Sequence, residues 1–152
     1  MTTRLQPTTD ADQLVALLAD ADKEIGRIRA MVETHTGYFI INGTGEVIGA
    51  ALLDWQPEES EIIYIAVELS QRGKGYGKQA VALIVAEAAQ QSTAALIVGT
   101  ANASLDQIAF YQKCGFRMDS IRKDYFDYFT APVYENGIRI RDMLVLRHDL
   151  NT

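Results

Sequence analysis

The segment from Gln71 to Gly77 carries the residues whose types and spacing point most directly to chemistry. It follows a strand-like run, Glu61–Val67, and a helical pattern begins immediately after it. Its three glycines alternate with other residues, several of them basic, and glycine lets an anion approach the main chain closely. A helix N-terminus adds roughly half a positive charge at such a turn. The segment therefore predicts a pyrophosphate site formed by the main-chain amides of residues 72–78.

The spacing separates this turn from other phosphate-binding loops. A Walker A loop needs glycine and Ser or Thr where this chain has Arg72 and Gln79, so that loop is excluded. Gly75, Gly77 and Ala80 satisfy the dinucleotide-binding pattern G-x-G-x-x-A. The next strand, however, ends without the carboxylate that would hold a ribose. Dinucleotide binding remains an alternative, as does a turn that only connects a strand to a helix.

Two blocks of the sequence resemble one known family. The run Arg72–Gly77 matches the R/Q-x-x-G-x-G/A signature of the GNAT acetyltransferases, between a strand and a helix as that family requires. The run Asn102–Phe116 is similar to the family's N-x-x-(A)-x-x-(Y)-x-x-x-G-F helix. Because the spacing between the blocks also agrees, the resemblance extends over nearly the whole chain. The last stretch, from residue 124 to 146, resembles a subgroup of small bacterial members.

The resemblance implies a function and a cosubstrate. We expect an N-acetyltransferase that moves the acetyl group of acetyl-CoA to a primary amine of a small molecule or peptide, by direct attack in a ternary complex. A non-catalytic acyl-CoA-binding or regulatory module on the same fold is the alternative. The expected partners are acetyl-CoA and the amine, without nucleic acid, membrane or metal.

The resemblance also implies where coenzyme A lies. The pantetheine arm is expected to bond to the strand before the glycine turn, the pyrophosphate to the turn itself, and the start of the second block to contact the arm again. A strand amide near Val67 is expected to polarise the thioester carbonyl. The predicted cofactor-binding residues are Ile65, Ala66, Val67, Arg72, Gly73, Lys74, Gly75, Tyr76, Gly77, Lys78 and Asn102.

Two residues are predicted to be catalytic by the same resemblance. Tyr111 is the general acid, because a phenol with a pKa near 10 is protonated at neutral pH and can hydrogen-bond to the departing thiolate. Deprotonating a lysine-like amine at pH 7 costs roughly 4.6 kcal/mol. Glu61 is the candidate base, since its strand is similar to the one that carries the base in histone-type members. The alternatives are a water chain, a solvated charge without a role, and the carboxylates of Glu68 and Asp54.

The remaining reactive side chains do not form a site by their spacing. The chain has one cysteine, Cys114, which we interpret as a free thiol and not as a nucleophile. The two histidines, His35 and His148, are too few and too scattered for a metal. An aromatic cluster between residues 125 and 134 is interpreted as a wall or lid of the acceptor pocket, as ordinary packing, or as a contact in a homodimer.

The elements that must position these residues follow from periodicity and capping signals. Helices are predicted after Thr9, after Asp20 or Asp22, after the glycine turn, and from Ser104 to Gly115, with Gln107 as the capping-box partner of Ser104. The predicted strands are 3–5, 38–42, 46–54, 61–67, 93–99, 116–125 and 138–146. The resemblance implies an α/β (α+β) GNAT fold: a mixed, mostly antiparallel sheet of about six to seven strands flanked by about four helices, with a parallel, splayed central pair.

Composition sets the outer limits. The chain has 152 residues and a net charge of −6, which gives no overall positive field for nucleic acid. Without a repeat or linker, residues 1–152 are predicted to form a single domain. The longest apolar run, Ala80–Ala86, is much shorter than the roughly 20 residues that a membrane helix needs. With no signal-like N-terminus and one cysteine, we expect a cytoplasmic protein.

Overall fold

The computed structural model describes residues 2–22 and 24–150, which form nine strands and four α-helices. The strands are β1 (Arg4–Thr8), β2 (Thr36–Ile41), β3 (Val47–Asp54), β4 (Ser60–Val67), β5 (Ala95–Ala101), β6 (Arg117–Arg122), β7 (Tyr134–Glu135), β8 (Ile138–Arg139) and β9 (Met143–Asp149). The helices are α1 (Ala11–Leu17), α2 (Ile25–Thr34), α3 (Tyr76–Gln90) and α4 (Leu105–Lys113).

Seven of the strands form one mixed sheet. Their order is β1-β2-β3-β4-β5-β9-β6, and every neighbouring pair is antiparallel except β4 and β5. The remaining strands, β7 and β8, pair with each other in a short hairpin. The predicted fold class is therefore confirmed, including the parallel pair at the centre of the sheet.

The helices cover both faces of this sheet because successive strand residues point to opposite sides. On β3, Ala50 and Leu52 pack with buried residues of α1 and α2, whereas Ala51 and Leu53 pack with buried residues of α3 and α4. This is why β3 is buried along six consecutive residues instead of alternating. The sequence of β3 accordingly reads as a nearly continuous apolar run.

Two helix caps differ from the sequence predictions. The side chain of Asp10, not that of Thr9, caps α1 by accepting a hydrogen bond from the Gln13 amide at 3.1 Å. Ser104 does precede α4, but its hydroxyl donates to Glu135 at 2.7 Å and makes no cap bond. The predicted capping box is therefore absent, and the Ser104 side chain is directed to a carboxylate 31 residues away in the chain. Gly115 ends α4 as predicted, with φ +96°.

The final strand also differs from the prediction. The sequence pattern predicts one strand over 138–146, but Ile138 and Arg139 belong to the β7–β8 hairpin and β9 begins only at Met143. Asn136 and Gly137 form the hairpin turn with φ +55° and +73°. Asn-Gly is the typical sequence of such a turn, so the hairpin could have been predicted from these two residues.

No helix within the described ranges is long and apolar enough to cross a membrane.

Candidate active site

The parallel pair at the centre of the sheet separates after three residues. β4 pairs with β5 only from Ser60–Leu96 to Ile62–Val98, so the main chain from residue 63 to 67 has no strand partner on that side. At the same point the register between β3 and β4 shifts, and Ile63 lies opposite no residue of β3. A β-bulge of this kind bends a strand and strengthens its twist. The bulge therefore opens a gap between the two strands.

A cavity of about 410 Å³, the larger cavity, fills this gap. Its inner walls are residues 62–65 of β4 and 98–101 of β5. The other walls come from α4, from the connection between α1 and α2, and from residues 125–129, which we call the aromatic segment. The splayed strands thus expose main-chain groups to a space that is large enough for a small molecule.

A second cavity of about 290 Å³, the smaller cavity, lies at the glycine turn. Gly73 and Gly75 have φ values of +79° and +84°, a conformation that favours glycine. Gly75 precedes α3 without any side-chain cap, and the first helical hydrogen bond runs from the Gln79 amide to the Gly75 carbonyl. The amides of residues 76–78 are therefore left for an external acceptor. This geometry suits the predicted pyrophosphate site.

The basic side chains of the turn have partners within the protein. The Nε atom of Arg72 donates to the Val67 carbonyl at 2.9 Å, and its guanidinium lies 3.8 Å from the carboxylate of Asp20. Lys74 donates to Gln71 at 3.3 Å. The main-chain amides, more than these side chains, are the groups that the fold holds ready for an anion. Lys78 lines the smaller cavity as well.

The two cavities lie along the same strand, β4, and the same helix, α4. On β4, Ile65 lines the larger cavity and Val67 lines the smaller one. On α4, Tyr111 lines the larger cavity and Phe110 lines the smaller one. An extended ligand bound at the glycine turn can therefore follow the free side of β4 into the larger cavity, as an added strand would.

Tyr111 is part of the inner wall of the larger cavity. Its side chain is only 2% exposed and packs edge-on against Phe110 and Phe116, with ring centroids 5.1 and 5.7 Å away. Burial raises the pKa of Tyr111 above its ordinary value, and the nearby Cys114 raises it further. The phenol is therefore protonated throughout the physiological range and can act as a hydrogen-bond donor.

Glu61 also lines the larger cavity, but as half of an ion pair. Arg122 on β6 donates to both carboxylate oxygens, at 3.2 and 3.3 Å. Nothing in the sequence pattern indicated Arg122, which lies 61 residues from its partner. The alternative bases Glu68 and Asp54 line neither cavity.

The side chain of Asn102 is used within the protein. Its Oδ1 accepts hydrogen bonds from the amides of Arg141 and Asp142 at 2.8 and 3.1 Å, and its Nδ2 donates to the carbonyl of Arg139 at 3.0 Å. Asn102, predicted to bind the cofactor, lines neither cavity. Asn102 therefore ties the chain that follows the β7–β8 hairpin to the start of α4, a contact that the sequence did not indicate.

A polar cluster on the opposite wall was not predicted from the sequence. The carboxylate of Asp22, 5% exposed, accepts hydrogen bonds from Tyr64 at 2.8 Å, Arg27 at 3.3 Å and Tyr128 at 3.4 Å. Arg27 also lies over the ring of Tyr128, 4.1 Å from its centroid, and donates to the hydroxyl of Tyr125 at 3.3 Å. These residues come from four separate regions of the chain, so no local spacing could reveal them.

One polar atom of the cavity wall has no partner. Thr100 is 5% exposed and lines the larger cavity, and its hydroxyl makes no hydrogen bond to the part of the chain that the structure describes. A buried, unsatisfied hydroxyl costs stability.

The lone cysteine and the histidines line neither cavity. Cys114 is half-buried, and burial raises the pKa of its thiol although Lys78 partly opposes this. A thiol with a raised pKa is a poor nucleophile. Among residues 2–22 and 24–150, no group of His, Cys, Asp and Glu is arranged to hold a metal ion.

Comparison with known proteins agrees with this geometry. Residues 7–116 match the Acetyltransferase (GNAT) family. The chain is 37% identical over 147 residues to the uncharacterised N-acetyltransferase YvbK of Bacillus subtilis, covering 95% of this chain and 93% of that protein. It resembles a GNAT family acetyltransferase from Elizabethkingia anophelis with acetyl-CoA bound, at 32% identity, a TM-score of 0.89 and coverage of 98% and 99%.

A Bacillus subtilis acetyltransferase in complex with CoA is similar as well, at 35% identity, a TM-score of 0.85 and 98% coverage of both chains. The free amides at the glycine turn and the free side of β4 fit such a ligand. The chain belongs to the GNAT acetyltransferase family, and acetyl-CoA is its cosubstrate.

Proposed function

We propose that the protein is an N-acetyltransferase that transfers the acetyl group of acetyl-CoA to a primary amine of a small molecule or peptide, by direct attack in a ternary complex. The observation that supports this proposal is that both cavities lie along β4, one at the glycine turn and one with Tyr111 on its wall. Bound acetyl-CoA supplies the reactive thioester. We also propose that residues 1–152 form a single domain and that the protein is cytoplasmic.

In this proposal main-chain groups make most of the contacts to the coenzyme. The amides of residues 73–78 bind the pyrophosphate, because the amide of Arg72, which the sequence prediction included, donates to the Leu69 carbonyl at 3.3 Å. The free side of β4 at Ile65, Ala66 and Val67 binds the pantetheine arm. Asn102 lines neither cavity and its side chain is bonded within the protein, so we do not assign it to the arm. The side chain of Arg72 helps by capping the Val67 carbonyl at the end of the strand.

The bulge in β4 is the proposed position for polarising the acetyl carbonyl. The family resemblance implies an amide near Val67, but Val67 lines the smaller cavity, whereas Tyr64 and Ile65 line the larger one with Tyr111. We therefore assign this role to a main-chain N–H between residues 63 and 65. Such a donor, fixed before the reaction, stabilises charge that develops on the oxygen.

Tyr111 stabilises the leaving sulfur mainly through a hydrogen bond. A phenol with a pKa of about 10 gives its proton to a thiolate with a pKa of about 8.5 only at a cost of roughly 2 kcal/mol. Burial raises the pKa of Tyr111 and increases this cost. We therefore expect the proton to stay largely on Tyr111, with the thiolate as acceptor.

Glu61 is proposed to receive the amine. In the transfer, the amine nitrogen forms a bond to the acetyl carbon, the carbon–sulfur bond breaks with its electron pair on sulfur, and the nitrogen loses a proton. Each oxygen of Glu61 has a second acceptor position beside the one used by Arg122. Glu61 can therefore accept a hydrogen bond from the amine and pass its proton to water or hold it.

The test is release of free thiol from acetyl-CoA in the presence of a panel of amines, for the protein and for Tyr111→Phe. We expect Tyr111→Phe to lower kcat by roughly 10²–10³-fold, as for the loss of one fixed hydrogen-bond donor, while the Kd for acetyl-CoA stays nearly unchanged. The matched control is Tyr134→Phe, which removes a hydroxyl from an exposed tyrosine that lines neither cavity. Its kcat should equal that of the unaltered protein.

Two results would contradict the proposal at different points. An unchanged kcat in Tyr111→Phe removes this residue from the mechanism but leaves the activity. Tight binding of coenzyme A without thiol release for any amine supports the alternative of a non-catalytic acyl-CoA-binding module.

The role of Glu61 as the base is tested by comparing Glu61→Gln with Glu59→Gln. Glu59 is a neighbouring carboxylate that pairs with Arg147 outside the cavity. Only Glu61→Gln should change the pH profile of kcat.

A further inference from the structure

The aromatic segment provides four partly exposed rings to one wall of the larger cavity. They contact one another with centroid distances from 4.8 to 6.5 Å, and all four line the cavity. Such rings bury a large area at a small loss of side-chain freedom. The rings are Tyr125, Phe126, Tyr128 and Phe129.

The cluster around Asp22 holds part of this wall in a fixed position. The Asp22 carboxylate bonds to Tyr128 and the Arg27 guanidinium bonds to Tyr125, so the start of α2 anchors both tyrosines. Asp22 also accepts from Tyr64 on the facing strand β4. The wall is thus arranged before a ligand enters, which lowers the entropic cost of binding.

The charges that line the larger cavity largely cancel within the protein. Asp22 pairs with Arg27, and Glu61 pairs with Arg122. Asp20, on the rim and 82% exposed, lies 3.8 Å from Arg72. Among the cavity-lining carboxylates of the described residues, Glu135 alone has no cationic partner, and it accepts from Ser104. The cavity therefore offers few free carboxylates to a polyamine. It offers no free guanidinium to an acidic ligand, because Arg27 and Arg122 are already paired.

We infer that the acceptor is a monoamine whose amino group is carried on a flat aromatic body, an arylalkylamine. The inference rests on the proposed function. The aromatic body packs on the aromatic segment, and the amino group lies toward Glu61 of β4 and Tyr111 of α4, which line the cavity. The cavity of about 410 Å³ falls within the range of small-molecule sites, roughly 300–1,000 Å³.

The experiment measures kcat/KM by thiol release for four amines at saturating acetyl-CoA. 2-Phenylethylamine is the arylalkylamine, propylamine lacks the ring, L-phenylalanine adds a carboxylate, and spermidine adds further charges. We expect kcat/KM for 2-phenylethylamine to exceed that for each other amine by about 10-fold or more. A preference of this size requires both the ring and the single charge.

Variants show whether the aromatic segment causes the preference. Phe126→Leu and Phe129→Leu keep an apolar side chain but lose the flat ring, and each should reduce the preference for 2-phenylethylamine over propylamine by about 3- to 10-fold. Tyr134→Leu is the matched control, because Tyr134 is 63% exposed and does not line the cavity. It should leave the preference unchanged, and thermal unfolding verifies that all three variants fold.

The outcomes separate this inference from the proposed function. If propylamine, spermidine or L-phenylalanine is acetylated as well as 2-phenylethylamine, the inference is wrong and the N-acetyltransferase proposal stands. If both phenylalanine variants fold and keep the full preference, the inference is also wrong. If no amine releases thiol, the proposed function itself fails, and the inference with it.

Discussion

Replacement of Asn102 with alanine removes the side chain that connects the start of α4 to residues 139–142. Three hydrogen bonds are lost, two from main-chain amides to Oδ1 and one from Nδ2 to a main-chain carbonyl. The same stretch of chain supports the aromatic segment, because the Phe126 amide donates to the Arg141 carbonyl at 3.2 Å and the Asp124 amide to the Asp142 carboxylate at 2.9 Å. Loss of Asn102 should therefore loosen the wall of the larger cavity.

The size of the effect follows from the hydrogen bonds. Each contributes about 0.5–1.5 kcal/mol net. Because two of the three are solvent-exposed and water can replace them in part, we expect a total of about 2 kcal/mol. If the amine must order the loosened wall at a cost of this free energy when it binds, KM for the amine rises by about 30-fold.

The assay is thiol release with each substrate varied in turn. We expect Asn102→Ala to raise KM for the amine and to leave KM for acetyl-CoA within about twofold of the original value. Asn102→Asp keeps both acceptor bonds to the amides but places a carboxylate oxygen against the Arg139 carbonyl, where Nδ2 donates. It should also raise KM for the amine, which tests the donor bond separately from the two bonds to Oδ1.

The opposite pattern would refute this reasoning. A raised KM for acetyl-CoA with an unchanged KM for the amine means that Asn102 acts mainly on the pantetheine arm, as the sequence resemblance implied. Equal values for Asn102→Ala and the original protein mean that the three hydrogen bonds contribute nothing to the site.

Three further predictions concern stability and are measured by urea unfolding. Gly49→Ala should lower the free energy of unfolding by about 1–3 kcal/mol, because a Cβ at this position overlaps the Ala66 carbonyl. Thr100→Val should raise it by about 1 kcal/mol in the ligand-free protein, because the unsatisfied hydroxyl disappears. Burial, aided by Asp22, raises the pKa of Tyr128 to about 12. Stability should therefore be full below about pH 10, where the unfolded tyrosine begins to ionise, and fall toward pH 12. Tyr128→Phe should make this fall smaller, and an unchanged slope would contradict the assignment.

The sequence by itself determined the features that depend on local chemistry. The glycine turn could be predicted because positive φ angles favour glycine and because a strand, a turn and a helix N-terminus follow one another within a few residues. The element order and the parallel central pair followed from periodicity and from the two blocks that resemble the family. The position of Tyr111 beside the site followed from the second block in the same way.

Only the tertiary structure decided how the walls of the larger cavity are built. Glu61 and Arg122 are 61 residues apart in the chain, and Asp22 and Tyr128 are 106 residues apart, yet each pair meets in the fold. Asn102 carries the residue type that the family motif requires, but its partners lie 37 to 40 residues away. Such contacts depend on the packing of strands and loops in three dimensions, which periodicity and local spacing do not encode.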